Sequence, residues 1–251
     1  MDDHARTSVV MGSYNCRGFN GNKKPYIANL LSECDILLLQ EHWLSDAQLS
    51  VLGDLHNNND VPIMYNGVSG FDNETVLTGR PYGGCAILWR SDMCANVVPI
   101  VVDSRRICAI SLSSDTWKLL IINVYMPFEN GYTNTDEFVY LLSVIEDIVA
   151  SNGDRQCIIG GDFNVDFNRS RVHTTFLDRF CTDIGLVPAD RHANFNVDYT
   201  YQFCMDRFST LDHFLLSTRL YDTCVECINV QHTVDNISDH DPIFYRNEPQ
   251  L

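Results

Sequence analysis

The sequence predicts an α+β fold in which two sheets pack face to face and helices flank them. Short runs rich in Val, Ile and Leu recur along the chain, bounded by Gly, Asn, Asp and Pro, the pattern of strands closed by turns. Amphipathic helices fall between them at irregular intervals, which favours a sandwich over a regular parallel βαβ sheet. No repeat, low-complexity tract or linker divides the 251 residues, and a 45% apolar content suffices for a large core. A single domain over residues 1–251 is therefore expected, with its core at 9–246.

Taken in order, strands are predicted at 8–14 and 35–40, with a short helix at 24–33 between them and another at 46–56. Tyr65 to Gly84 carries Gly67, Gly70, Gly79, Gly83 and Gly84 and reads as a long loop or irregular hairpin. Strands follow at 84–89, 97–102, 106–112 and 117–125. A helix at 135–151 repeats Phe138, Leu141, Leu142, Ile145, Ile148 and Val149 at helical spacing. Asn134 or Thr135 would cap it, with Asp136 and Glu137 in its first turn. After a strand at 156–160, a helix at 173–184 places Phe176, Phe180 and Ile184 on one face and stops at Gly185. Strands at 213–217, 223–230 and 242–245 complete the chain.

The ten cysteines are scattered through apolar runs such as GGCAIL, RICAIS and QCIIGG and read as buried free thiols. Cys224 and Cys227 form a CxxC whose residues alternate like a strand, with no second pair at zinc-finger spacing. The N-terminus opens on acidic residues and no long apolar run follows, so a soluble intracellular protein, nuclear or cytoplasmic, without a membrane partner is expected. A net charge of −16 argues against tight autonomous binding to nucleic acid. It is compatible with carboxylates gathered around a cation. The 14 Arg against 3 Lys suit planar phosphate contacts.

The polar residues fall where chemistry is easily built. Apolar runs end in Ser13-Tyr14-Asn15, Gln40-Glu41, Asn123-Val124-Tyr125 and Gly161-Asp162-Phe163-Asn164. If those ends share one edge of a sandwich, they form a polar cluster on a rigid scaffold. The glycines before Asp162 let the backbone turn closely there. Ile237-Ser238-Asp239-His240-Asp241-Pro242 brings two carboxylates and an imidazole together before the last strand, able to supply a metal-side carboxylate and a general base. Asp212, at a strand entrance, is placed to orient a histidine. His42, His173 and His213 read as structural or surface groups.

Together these blocks resemble the endonuclease/exonuclease/phosphatase superfamily. Its ordered pattern is matched by Asn15 in YNCRG, Glu41 in LLLQEHW, Tyr125 in NVYMP, Asp162 and Asn164 in GGDFN, Asp212 in STLDHFLLS and Asp239-His240 in SDHDP. Within it the sequence is most similar to endonuclease domains of LINE-type non-LTR retrotransposons, through SYNCRG, LLLQEHWL, GGDFN and Thr200-Tyr201 followed by Ser209-Thr210-Leu211-Asp212-His213. Phe208-Ser209-Thr210-Leu211 departs from the aromatic and basic pair that AP endonucleases carry there.

The resemblance implies a DNase I-like four-layer α/β/β/α sandwich with two mainly antiparallel sheets. It implies Mg²⁺, or Mn²⁺, held by Glu41 with Asn15 and Asp239 close by. His240 would act as general base oriented by Asp212, and Asp162 would position the nucleophile or protonate the leaving group. Asn164 and Tyr125 would bind phosphate oxygens, with Thr200 and Ser209 as further substrate contacts. The implied reaction is DNA nicking that leaves 3′-hydroxyl and 5′-phosphate ends. The implied setting is a monomer whose parent polypeptide carries a reverse transcriptase. Two other readings stay open: a phosphatase or phospholipase acting on inositol phosphates or sphingomyelin, and a non-catalytic module on the same fold.

Overall fold

The computed structural model describes residues 9–56, 60–71, 83–130, 134–192, 198–222 and 226–247. The chain runs β1 (Val9–Asn15), α1 (Lys24–Glu33), β2 (Ile36–Gln40), a 3-10 helix (Asp46–Leu52), β3 (Ile63–Val68), β4 (Cys85–Arg90), β5 (Asn96–Ile100), β6 (Ile107–Ser113) and β7 (Lys118–Tyr125). It continues through α2 (Thr135–Ser151), β8 (Gln156–Asp162), α3 (Val172–Ile184), β9 (Leu186–Pro188), β10 (Tyr201–Phe203), β11 (Arg207–Ser209), β12 (Asp212–Ser217), α4 (Thr218–Asp222), β13 (Glu226–Val230) and β14 (Ile243–Asn247).

Two six-stranded sheets result, ordered β13-β14-β1-β2-β4-β3 and β5-β6-β7-β8-β12-β9, and β10 and β11 form a separate hairpin. Pairing is antiparallel throughout both sheets except for β1 with β2 and β7 with β8. This is the sandwich the sequence predicts, and its layers explain why the apolar runs are continuous. Along β2, Ile36 and Leu38 face the other sheet while Leu37 and Leu39 face α1. Along β7, Leu119 and Ile121 face inward while Leu120, Ile122 and Val124 face α2 and α3. A strand covered on both faces has no polar side to alternate with.

Several boundaries differ from the sequence reading. The predicted loop from Tyr65 begins inside β3, an edge strand whose Asn66 and Gly67 hide it; residues 72–82 of that loop lie outside the described ones. The helix expected at 46–56 is a 3-10 helix ending at Leu52, started by a reciprocal Ser45–Gln48 capping box. Asn134 precedes α2 but its side chain does not cap it, donating instead to Phe128 O at 3.1 Å. On α3 the buried face is His173, Leu177, Phe180 and Cys181, whereas Phe176 is exposed. Gly185 does end that helix, in the left-handed conformation. Pro99 sits in β5, an edge strand that can spare the missing donor.

Cys16, Cys34, Cys85, Cys108, Cys157 and Cys181 are buried free thiols, and Cys94 and Cys204 are exposed ones. Cys224 of the CxxC lies outside the described residues. No helix among the described residues is long and apolar enough to cross a membrane.

Candidate active site

Three strands of the second sheet bring three polar side chains into one row. Tyr125 pairs across β7 and β8 with Asp162, and Asp162 pairs across β8 and β12 with Asp212. The two glycines before Asp162 are both sterically required. A Cβ on Gly160 would stand 2.5 Å from Leu38 of the facing sheet, and one on Gly161, whose φ is +142°, would stand 2.1 Å from Val124 O. Asn164 closes the turn at φ +52°, its amide N–H donating to Asp162 Oδ1 at 2.9 Å and its Nδ2 to Met126 O at 2.9 Å.

The first sheet contributes differently. Asn15 and Gln40 end β1 and β2 side by side, and Glu41 leaves the ladder at φ +52°. Trp43 is also left-handed, at φ +58°, and each such non-glycine residue costs on the order of 1–2 kcal/mol. Packing offsets that cost. His42 is buried, with Nδ1 accepting from Leu44 N at 3.0 Å and Nε2 facing Val68 O at 3.1 Å. Burial drives its pKa down to about 4, so the ring is neutral, as those two bonds require. Gly84 passes so close that a Cβ there would meet the ring at 2.4 Å.

Asn15 joins the halves. Its Nδ2 donates to Glu41 Oε1 at 3.0 Å and to Asp162 Oδ2 at 2.9 Å, while its Oδ1 accepts from Arg17 N at 3.1 Å. One layer below, Gln40 Nε2 donates to Asn123 Oδ1 at 2.7 Å and to Ser13 Oγ at 3.1 Å. Asn123 Nδ2 in turn donates to Leu39 O at 3.0 Å and Ala86 O at 2.8 Å. A polar link thus crosses the otherwise apolar space between the sheets.

His240 is buried, with Nδ1 2.8 Å from Asp212 Oδ2 and Nε2 3.8 Å from Asp162 Oδ2. The segment before β14 is fastened to β1: Ser238 Oγ donates to Asn15 O at 2.8 Å, and Tyr14 OH donates to Asn236 Oδ1 at 2.8 Å. Asn236 Nδ2 then donates to His240 O at 2.7 Å. Thr200 is fully buried, its Oγ1 accepting from the backbone of Leu211 and Asp212 at 2.9 and 3.1 Å. Asp239 pairs with Arg17 at 2.8 Å on the rim, and Ser209 is half-buried at the end of β11. His173 and His213 are buried away from this row, His173 stacked on Phe138 and His213 beside Asp190.

Charge in this cluster is strongly shared. Burial pushes the Asp162 carboxyl up, the charge of Asp212 adds to the shift, and His240 and Asn15 oppose it. Burial opposes a charge on His240, yet Asp212 and Asp162 outweigh it and hold the ring above the ordinary histidine range. His240 and Asp162 therefore titrate together rather than independently. Burial and then the charges of Glu41 and Asp162 keep Tyr125 protonated, so its phenol is an O–H donor.

Three groups escape the sequence reading. Trp43 Nε1 donates to Glu41 Oε2 at 3.1 Å. Lys23 is buried, with Nζ donating to Cys16 O and, at 2.9 Å, to Arg17 O. Arg106 lies 5.0 Å over the Tyr125 ring and bonds Glu137 at 2.8 Å. Only spatial proximity marks them, and no motif spacing does.

Asp162, Asp212 and His240 each offer a ligand atom, all within 4.8 Å of one another. Asp212 Oδ1 is buried without a partner. With Glu41 beside them, these oxygen-rich donors fit a small, hard divalent cation.

The two sheets, with carboxylates, amides, a phenol and an imidazole along one edge, define a DNase I-like sandwich. A family model described as the Endonuclease/Exonuclease/phosphatase family matches residues 12–240. The chain belongs to that family, whose members are nucleases and phosphatases. No curated protein matches the sequence. Solved structures share the fold at low identity. The endonuclease domain of TRAS1, a telomere-specific non-LTR retrotransposon, aligns with TM-score 0.69 and 13% identity over 97% of this chain and 100% of that one. The AP endonuclease LMAP from Leishmania major aligns with TM-score 0.75 and 15% identity over 97% and 88%. The 3′ phosphatase NExo from Neisseria, bound to a product DNA hairpin, aligns with TM-score 0.67 and 18% identity over 94% and 98%.

Proposed function

We propose that this protein is a divalent-metal-dependent DNA endonuclease, the target-nicking domain of a non-LTR retrotransposon, leaving 3′-hydroxyl and 5′-phosphate ends. The observation that carries the reading is the contiguous polar series along one sandwich edge: Asp212 bonded to His240, His240 Nε2 3.8 Å from Asp162, and Asn15 bonding both Asp162 and Glu41. The fold likeness to a retrotransposon endonuclease domain and to an AP endonuclease supports it.

Mg²⁺, or Mn²⁺ in its place, would be held by Glu41 with Asp239 and Asn15 beside it, polarising the scissile phosphate and stabilising the leaving oxygen. His240 would orient the attacking water or, in its neutral form, take its proton, with Asp212 fixing the ring. Asp162, drawn toward the protonated form by burial, would position the nucleophile or protonate the leaving oxygen. The Tyr125 hydroxyl and the Asn164 side chain would bind phosphate oxygens on which charge gathers. Ser209 is a candidate substrate contact, and Thr200 acts through the Asp212 backbone that it holds.

The acidic surface limits intrinsic affinity for DNA, so a reverse transcriptase elsewhere in the parent polypeptide would share in holding the target. The segments at 65–84, 126–135 and 190–208 are the candidates for reading target shape.

The test is nicking of supercoiled plasmid at low salt with Mg²⁺, with and without EDTA, in wild type, Asp162→Ala and His240→Ala. Metal-dependent open circle that both substitutions abolish, with ends a polymerase extends directly, supports the reading. Plasmid left intact by wild type under both Mg²⁺ and Mn²⁺ refutes it and makes inositol phosphates and sphingomyelin the next substrates.

A further inference from the structure

The turn that follows β2 holds Glu41 more firmly than a turn of its length needs to. Asn15 Nδ2 grips Oε1 from the β1 side at 3.0 Å, and the Trp43 indole N–H grips Oε2 from the opposite chain direction at 3.1 Å. The indole is itself wedged. Gly18, at φ +94°, lies so close beneath it that a Cβ would stand 2.3 Å from the ring, and Gly18 N donates to Glu41 O at 2.7 Å. Trp43 N donates to Gly83 O at 3.0 Å, which pins its backbone to the segment before β4. Trp43 is left-handed, and its ring meets the Glu41 carboxylate two residues away.

We propose that Trp43 is the positioning residue for Glu41, fixing the plane of a carboxylate that would hold a divalent cation. Each carboxylate oxygen accepts from two directions. The indole occupies one direction on Oε2 and the Asn15 amide one on Oε1, and the Tyr125 phenol also bonds the carboxylate, so its plane cannot turn. The site then meets its cation already ordered, and ordering two groups in advance lowers the entropic cost of binding. The proposal rests on the reading of Glu41 as a cation ligand. It adds that the indole senses occupancy, because a cation drawing charge from Oε2 weakens the bond that this oxygen accepts.

Magnesium alone is the probe for the first measurement, made on the intact chain. With three tryptophans, the ¹⁵N-correlated spectrum carries three indole N–H resonances, and the one missing in Trp43→Phe identifies Trp43. That resonance is expected to shift saturably with Mg²⁺, while those of Trp89 and Trp117 stay in place. Trp43→Phe keeps an aromatic ring in the turn and removes the donor together with part of the indole packed on Gly18. Its Mn²⁺ affinity by calorimetry is expected to fall about tenfold, the order for one hydrogen bond to a charged group, with the protein still folded at the temperature of the measurement. Should the Trp43 resonance stay fixed while calorimetry finds Mn²⁺ binding that Glu41→Gln removes, the positioning role is overturned and the cation reading survives. If wild type binds no Mn²⁺ in calorimetry, the cation reading itself fails and the proposal falls with it. The wild-type spectrum decides the matter even if Trp43→Phe does not fold, since Gly18→Ala, which displaces the ring, assigns the same resonance.

Discussion

The second sheet delivers Tyr125, Asp162 and Asp212 from paired ladder positions, whereas the first delivers Glu41 from a left-handed turn beyond the end of its strand. Ladder residues inherit their spacing from strand register, and a slip of one residue would turn every side chain to the other face. The turn has no register to lean on. Its geometry is imposed by groups packed around it: His42 against Gly84, Trp43 against Gly18, and two backbone bonds to Glu41 and Gly83. One half of the site is therefore exact through periodicity, and the other is held by strain that its neighbours contain.

That contrast can be broken most severely in the ladder. Asp162→Asn keeps the shape and removes the proton-carrying carboxyl, and plasmid cleavage is expected to fall about a thousandfold, roughly 4 kcal/mol of barrier. Next comes Gly161→Ala, where a methyl 2.1 Å from Val124 O forces β7 and β8 apart. Thermal unfolding should show a loss of roughly 3 kcal/mol, with β8 and β12 losing hydrogen-exchange protection first.

The turn should respond more gently. Gly84→Ala pushes on the His42 ring from 2.4 Å, but the segment can yield because no ladder confines it. Stability is expected to fall by about 1–2 kcal/mol, while cleavage at low Mg²⁺ falls further and recovers at high Mg²⁺. Equal loss at both Mg²⁺ concentrations would show that the turn is merely structural. The smallest effect is a reference from outside both halves. Burial lowers the His173 pKa below its ordinary 6.5, so the unfolded chain takes up that proton first as pH falls. Its contribution is therefore complete above pH 6.5 and lost on acidification. Replacing it by Phe against Phe138 should narrow the gap between unfolding midpoints at pH 7 and pH 5 and leave cleavage at pH 7 unchanged.

The same contrast governs what the sequence could reveal. Asp162, Tyr125 and Asn15 end strand-like runs and Asp212 opens one; the pattern marks these ends as polar but leaves open whether they share an edge, and strand pairing and the Asn15–Asp162 bond bring them together. Hydropathy does not show the buried face of α3, because His173 and Thr174 point inward while Phe176 does not. Nor does it show β3, because an edge strand tolerates the Asn and Gly that signal turns elsewhere. Trp43, Lys23 and Arg106 act through contacts to Glu41, to the Cys16 and Arg17 carbonyls and to Tyr125. Nothing in their spacing foretells those contacts.

The Gln40–Asn123 bond beneath the site has a mechanical consequence. Two apolar sheets facing each other resist separation but offer little resistance to shear, because one greasy contact replaces another as they slide. Gln40 and Asn123 make such sliding costly, since the Asn123 amide also grips the Leu39 and Ala86 carbonyls of the opposite sheet, and any displacement would strand these groups unbonded in a dry layer. They act as a dowel through both plates. The loops above are thereby relieved of keeping the halves aligned, so insertions and exchanges among them can retune what the edge meets without moving what it does.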